Sequence, residues 1–303
     1  MKTKILHSYG NEEINEYEYD LGRMEPNQML IKSIYTGICR SDIDQYLGHI
    51  EIPFGHFGHE SIGRVVEVGH AITNFQVGDL VASRNDPAFS EYFYADEKNT
   101  VSVPEAHPRY IIEPVACSIN IAERVLGHIQ QDILFVGSGF IANIAAQYIR
   151  QQRPDINIYV VGNHNRREWE SINATFVTFD EILKRHKRFT TIVELSGKHE
   201  NFDNVMTIAE PGAFICLAAS FDKAVTTTFW HALWNNYTIA FPSPRDIKFH
   251  KFMQTASLSI YLNYIDVDWV WTHEYQAHDY KRAFSESVNR SADQPFVRSY
   301  IKW

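Results

Sequence analysis

The stretch Ile133-Leu134-Phe135-Val136-Gly137-Ser138-Gly139-Phe140-Ile141-Ala142, running on through NIAAQYI to Ile149, decides the fold of one part of this chain. Four consecutive apolar residues bounded by glycine read as a buried strand. From Ile141 to Gln152 apolar residues recur at three- to four-residue spacing, which reads as a helix. A glycine-rich turn between strand and helix gathers backbone amides at the positive end of the helix, where a dinucleotide pyrophosphate is well held. Gly137-x-Gly139-x-x-Ala142 is that fingerprint with alanine in third place, so Gly137, Ser138, Gly139, Phe140 and Ile141 are candidate cofactor contacts.

Downstream, Pro154 breaks the chain before a strand at Asn157–Val161. Further strands are expected at Thr191–Glu194, Ala213–Leu217 and Tyr237–Phe241, with helices between some of them. Strands alternating with helices imply a parallel sheet with right-handed crossovers. The second strand ends in Gly162-Asn163-His164-Asn165-Arg166-Arg167. An acidic residue there would bond both ribose hydroxyls of NAD and repel a 2′-phosphate. None is present, and guanidinium forks suit phosphate. Asn163, Arg166 and Arg167 therefore favour NADP(H) over NAD(H). The competing reading makes the two arginines the solvated first turn of a helix.

Upstream the texture differs. Met29–Ile34 and Gly63–Val68 read as short strands, Val77–Val81 as a turn entering another, and the first hundred residues as all-β in character. From about Glu113 the texture changes, and Pro114 to Leu126 has helical periodicity. After Pro242 and Pro244 a helix is expected from about Ile247, then a mixed tail ending in a strand at Phe296–Ile301. Scattered through the β-rich part are Cys39, the pair His59-Glu60, and Glu113 before Pro114. One thiolate, one imidazole and one or two carboxylates suit a catalytic zinc, which keeps few protein ligands and an open position.

The chain has 303 residues, room for two cores, with 45% hydrophobic and 21% charged residues, as in a globular enzyme. A net charge of −9 argues against nucleic acid as a partner. No run approaches 18 apolar residues and MKTKILHSYG has no apolar signal core, so no membrane partner and a cytoplasmic location are expected. Three scattered cysteines (Cys39, Cys117, Cys216) make no disulfide framework, and the last two read as packing.

The ordered segments TGICRSDIDQYLG (36–48), GHFGHESIGRVVEVG (55–69), VGDLVA (77–82), IIEPVACSINIAERV (111–125) and ILFVGSGFIANIAAQYI (133–149) resemble the medium-chain zinc alcohol and polyol dehydrogenases, nearly end to end. The resemblance implies an α/β chain in which a Rossmann doubly wound parallel sheet (124–241) is inserted in a GroES-like β-rich catalytic domain (1–123 and 242–303). It implies Cys39 and His59 as zinc ligands, with Glu60 ligating the metal or sitting just behind it. Glu113 falls where the polyol branch of the family places a glutamate. Ser41 matches the hydroxyl that relays the substrate proton, and Asp42 a carboxylate that orients His59. The activity implied is hydride transfer between a nicotinamide cofactor and a secondary alcohol or ketone, a polyol or ketose above all, by a homodimer or homotetramer.

The chain also departs from the family. No cysteine occurs in SRNDPAFSEYFYADE (83–97), where many relatives carry a structural zinc lobe, so one catalytic and no structural zinc is expected. Asp44 replaces a histidine that ends the proton relay in some relatives. Arg40, beside the ligand Cys39, either meets an anionic group or makes a surface salt bridge. NIYVVGN (157–163), AEPGAFICLAAS (209–220) and FVRSYIKW (296–303) resemble the ribulose-5-phosphate reductases that form ribitol 5-phosphate. Under that likeness Arg40, or Arg245 and Lys248, would hold a substrate phosphate. Two alternatives stay open: a zinc-less reductase of an activated double bond or quinone, and a cofactor-binding protein without catalysis.

Overall fold

The computed structural model describes residues 1–221, 223–225, 229–290 and 296–303. In chain order the elements are β1 (Lys2–Gly10), β2 (Glu13–Asp20), β3 (Gln28–Gly37), α1 (Arg40–Tyr46), β4 (Ser61–Val68), β5 (Leu80–Ser83), β6 (Tyr92–Asp96), β7 (Thr100–Ser102) and α2 (Glu113–Leu126). There follow β8 (Asp132–Val136), α3 (Phe140–Gln152), β9 (Asn157–Val161), α4 (Arg166–Glu170), β10 (Thr175–Phe176), α5 (Phe179–Lys184), β11 (Phe189–Glu194), α6 (Glu200–Ile208), β12 (Ala209–Leu217), α7 (Trp230–Trp234) and β13 (Thr238–Ala240). The last are α8 (Phe249–Tyr261), β14 (Trp271–Gln276), α9 (Tyr280–Val288) and β15 (Arg298–Lys302). Two compact units result, Met1–Ala116 with Lys248–Trp303, and Cys117–Ile247, the first boundary falling inside α2.

The first unit is built on a seven-stranded sheet of order β14-β15-β3-β4-β5-β7, with β6 also on β3. β3 is its spine, antiparallel to β4, β6 and β15. Met29, Ile31, Val65, Val81, Phe93 and Ala95 bury one face as a core. A second core joins α1 and α9, where Ile43, Tyr46, Phe57, Phe89 and Phe284 pack together. The all-β reading of the first hundred residues passes over α1, a two-turn helix whose buried Ile43 and Tyr46 are too few to show a period.

The second unit holds a six-stranded sheet of order β10-β9-β8-β11-β12-β13 in which every pairing is parallel. That is the doubly wound Rossmann order, with its switch point between β8 and β11. Ile133, Leu134, Phe135 and Val136 are all fully buried, as strands covered on both faces require.

Several boundaries differ from those read in the sequence, and β3, β4, β11 and β12 begin earlier than expected. Tyr237 lies outside β13 because its N–H closes α7 on Ala232 O and its hydroxyl donates to Met206 O and Ala209 O. Phe296 and Val297 precede β15, the first stacked on His273 and the second donating its N–H to Thr272 Oγ1. Ile247 is 96% exposed, and α8 begins at Phe249. Among the described residues no helix is long and apolar enough to cross a membrane.

Candidate functional site

Strand register brings the metal-type residues of the first unit together. Thr36 faces Ser61 across β3 and β4, and Gly37 N–H donates to Glu60 O at 2.8 Å, so the end of β3 lies against the start of β4. On the other edge of β3, Gly37 faces Tyr300 of β15, and Ile38 N–H donates to Ser299 O. Two residues past β3 the chain turns into α1 with Cys39 as its N-cap. Cys39 and the adjacent pair His59-Glu60 thus bring a sulfur, an imidazole nitrogen and a carboxylate oxygen within 4.8 Å of one another. This donor set fits zinc.

The surroundings of this group are buried and charged. Asp42, fully buried on the first turn of α1, accepts the Cys39 N–H at 2.8 Å through Oδ2. Its Oδ1 has no hydrogen-bond partner among the described residues and stands 3.9 Å from His59 Nδ1. An orphaned buried carboxylate oxygen facing a ring nitrogen is what an oriented metal-binding histidine needs. Burial pushes Asp42 up to about 6, with the His59 charge and the Cys39 amide pulling the other way. Burial alone would depress His59, but the Cys39 sulfur beside it, then Asp42 and Glu113, carry its pKa well above the ordinary value.

Glu60 is held from behind. Arg298 Nη2 lies 3.0 Å from Glu60 Oε1 and 2.8 Å from Oε2, with both side chains buried. The same nitrogen donates to Ile38 O at 2.5 Å, and the guanidinium sits 4.7 Å from the centre of the Trp271 ring. Gly37 makes room for this packing, since a Cβ there would run into Glu60 Oε2 and Trp271. Reading the sequence missed Arg298 and Trp271 as site residues. The only signal is a buried arginine in a terminal strand, which shows in three dimensions alone.

The other predicted residues fall nearby or apart. Glu113, buried at the start of α2, is not in the three-ligand group, and its Oε1 is 3.6 Å from Arg84 Nε. Ser41 is half-buried on the first turn of α1. Asp44 accepts from Arg40 Nε at 2.9 Å and lies 3.5 Å from His49 Nδ1, so Arg40 makes the surface salt bridge. Arg245 and Lys248 fall in different units, both exposed. Cys216 is buried in β12, where burial pushes its thiol up to about 12, while Cys117 is half-buried on α2. His56 Nδ1 is 2.7 Å from Asp86 Oδ2 on the surface.

In the second unit Gly137 has φ +107°, and a Cβ there would strike the backbone of Leu195 and Ser196. Gly139 caps α3, and a Cβ there would meet only open space. Phe140 and Ile141 open the helix, Asn163 is exposed in the turn after β9, and Arg166 and Arg167 are exposed on the first turn of α4. Arg166 lies 4.3 Å from the Phe176 ring and 3.4 Å from Glu170.

A doubly wound sheet with a glycine turn at its first helix, in one chain with a β-rich unit that gathers thiol, imidazole and carboxylate, is the fold pattern of dinucleotide-dependent dehydrogenases. Residues 25–105 match the alcohol dehydrogenase GroES-like domain. L-threonine 3-dehydrogenase of Coxiella burnetii is 23% identical over 310 residues, covering 85% of this chain and 88% of that protein. In structure the chain is similar to an E. coli CFT073 protein described as a short chain alcohol dehydrogenase (rspB), complexed with NADH (TM-score 0.84, 19% identity, 100% and 99% of the chains covered). It is also similar to galactitol-1-phosphate dehydrogenase from Escherichia coli (TM-score 0.79, 18% identity, 100% of both chains). Residues 25–105 thus carry an alcohol dehydrogenase GroES-like domain, and together these likenesses support an oxidoreductase of the medium-chain alcohol and polyol dehydrogenase type.

Proposed function

We propose that the chain is a zinc-dependent, NADP(H)-preferring dehydrogenase of a polyol or ketose, with a phosphorylated sugar such as ribulose 5-phosphate among its substrates. The observation that carries this reading is the convergence of Cys39, His59 and Glu60 donor atoms within 4.8 Å. Cys39 and His59 hold the metal, with one carboxylate from Glu60 or Glu113. Bound there, zinc supplies a Lewis acid that lowers the pKa of the substrate hydroxyl.

The protein's own groups do the rest. Asp42 fixes the His59 ring through Nδ1, which leaves the other nitrogen for the metal. Arg298 keeps the charge of Glu60 balanced in a buried place. Ser41 Oγ, two residues from Cys39, takes or returns the hydroxyl proton, and Asp44, further along α1, with His49 in the turn after it, forms a route to solvent. In the second unit the amides of Gly139, Phe140 and Ile141 face the pyrophosphate. The turn after β9 carries arginines in place of an acid, which supports NADP(H). The named polyol phosphate specificity of one structural neighbour supports a phosphorylated substrate.

A homodimer or homotetramer is part of the proposal. Beside β13, the end strand of its sheet, Phe229, Trp230, Leu233, Trp234 and Phe241 are each more than half exposed, and Trp230 and Trp234 stack at 5.4 Å. An open strand edge and a large apolar patch suit a second copy of the chain.

The test is oxidation of NADPH and NADH by the purified protein across ketoses and ketose phosphates, with and without zinc chelation. Zinc-dependent turnover of a ketose or its phosphate with NADPH supports the reading. Turnover confined to activated double bonds or quinones, unaffected by chelation, sinks it.

A further inference from the structure

We infer that Ser138 is a positioning residue that ties the glycine turn to the segment after β9, and that this tie sets the discrimination between NADPH and NADH. The inference rests on the cofactor reading above and gives Ser138 a role in holding the neighbouring segment, beyond its place in the pyrophosphate turn.

Ser138 stands between the two turn glycines and is 3% exposed. Its carbonyl oxygen accepts two side-chain hydrogen bonds, from Asn165 Nδ2 at 3.0 Å and from the Trp169 indole Nε1–H at 3.1 Å. Its hydroxyl oxygen accepts the backbone N–H of His164 at 2.9 Å. Gly162 packs so closely on it that a Cβ at 162 would collide with the Ser138 side chain. Four residues between 162 and 169 are therefore fastened to one residue of the pyrophosphate turn.

The fastening brackets Arg166 and Arg167. On one side, Asn165 caps α4 in the left-handed region (φ +53°), a conformation its short amide tolerates while bonding to Ser138. On the other side, Trp169 is fully buried, its ring 5.5 Å from that of Phe135 in β8. The backbone that carries both arginines is thus pinned at each end to the turn that faces the pyrophosphate. A 2′-phosphate is read by the distance between these two places, so a rigid link makes the reading selective. An unpinned segment would let the long guanidinium side chains follow solvent.

The experiment measures dissociation constants of NADPH and NADH by fluorescence titration of the full chain, Ser138→Ala, Trp169→Phe, and the Arg166→Ala/Arg167→Ala pair. Thermal midpoints are recorded beside them. Ser138→Ala removes the acceptor for His164, and Trp169→Phe removes one donor while keeping an aromatic ring. Each is expected to bring the ratio of the two constants roughly fivefold closer to one, the size of a single neutral hydrogen bond, with NADH binding changed by less than about twofold. Parallel weakening of both cofactors, an unchanged ratio, or a wild-type ratio of one overturns the inference. If Ser138→Ala fails to fold, Trp169→Phe decides. The arginine pair reports on the underlying reading separately. An unaltered ratio in that variant removes Arg166 and Arg167 from phosphate recognition, while a ratio altered by Ser138→Ala would still establish the tie.

Discussion

Arg298 and Glu60, 238 positions apart, form a buried ion pair in which one guanidinium nitrogen meets both carboxylate oxygens, at 3.0 and 2.8 Å. Neither charge has water to turn to, since the side chains are 6% and 1% exposed. Removing one partner leaves the other charged, buried and unpaired, which typically costs about 3–5 kcal/mol. Arg298→Met is expected to lower urea stability by about that amount, and Arg298→Met with Glu60→Gln to recover part of it. A single variant as stable as the parent would mean that the pair is solvated.

In the proposed site Asp42 faces His59 through Oδ1 and holds the Cys39 amide through Oδ2. Asp42→Asn keeps the shape and the Cys39 N–H acceptor but loses the charge facing Nδ1. Zinc affinity measured by competition with a chelator is expected to fall roughly 10- to 100-fold, with secondary structure unchanged. Unchanged affinity would remove Asp42 from the site.

Ser41→Ala is expected to slow turnover by roughly 10²- to 10⁴-fold while leaving zinc content and NADPH binding intact. Full activity in this variant would end the relay assignment without touching the fold.

His7 lies in a different place, 1% exposed among the rings of Tyr9, Phe54 and Phe57, with neither ring nitrogen hydrogen-bonded among the described residues. Burial lowers its pKa from the ordinary 6.5. Above that value the imidazole is neutral in both folded and unfolded chains. As pH falls below it, the unfolded chain takes a proton that the folded chain refuses, so stability is lost until the folded pKa is reached. Urea midpoints at pH 7.5 and 5.5 are expected to differ less in His7→Phe than in the parent. An equal fall in both would show His7 to be solvated in the fold.

Much of the fold was legible in the sequence because its signals are local. The apolar run 133–136 before Gly137, the helix periodicity from 141 to 152 and the strand at 157–161 stand where expected. Cys39, His59 and Glu60 could be proposed from residue type and the family resemblance, and the register of β3 with β4 places them together. Pairing across long separations was not legible. Arg298 reaches Glu60 only because β15 returns to the edge of β3, and no periodicity in the tail announces that return. Glu113 shows the same limit from the other side: its spacing gives no hint of Arg84, which stands 3.6 Å away. Trp169 reads as one more apolar residue in a short helix, and its indole bond to Ser138 depends on the turn geometry between them.

Zinc dependence is decided by the zinc content of the purified, tag-free protein, by elemental mass spectrometry against protein concentration. About one zinc per chain is expected, lost in Cys39→Ser and in His59→Ala. A protein that carries no zinc and takes up none on reconstitution would contradict this, and would leave Cys39, His59 and Glu60 as a partly buried polar cluster without a metal to hold.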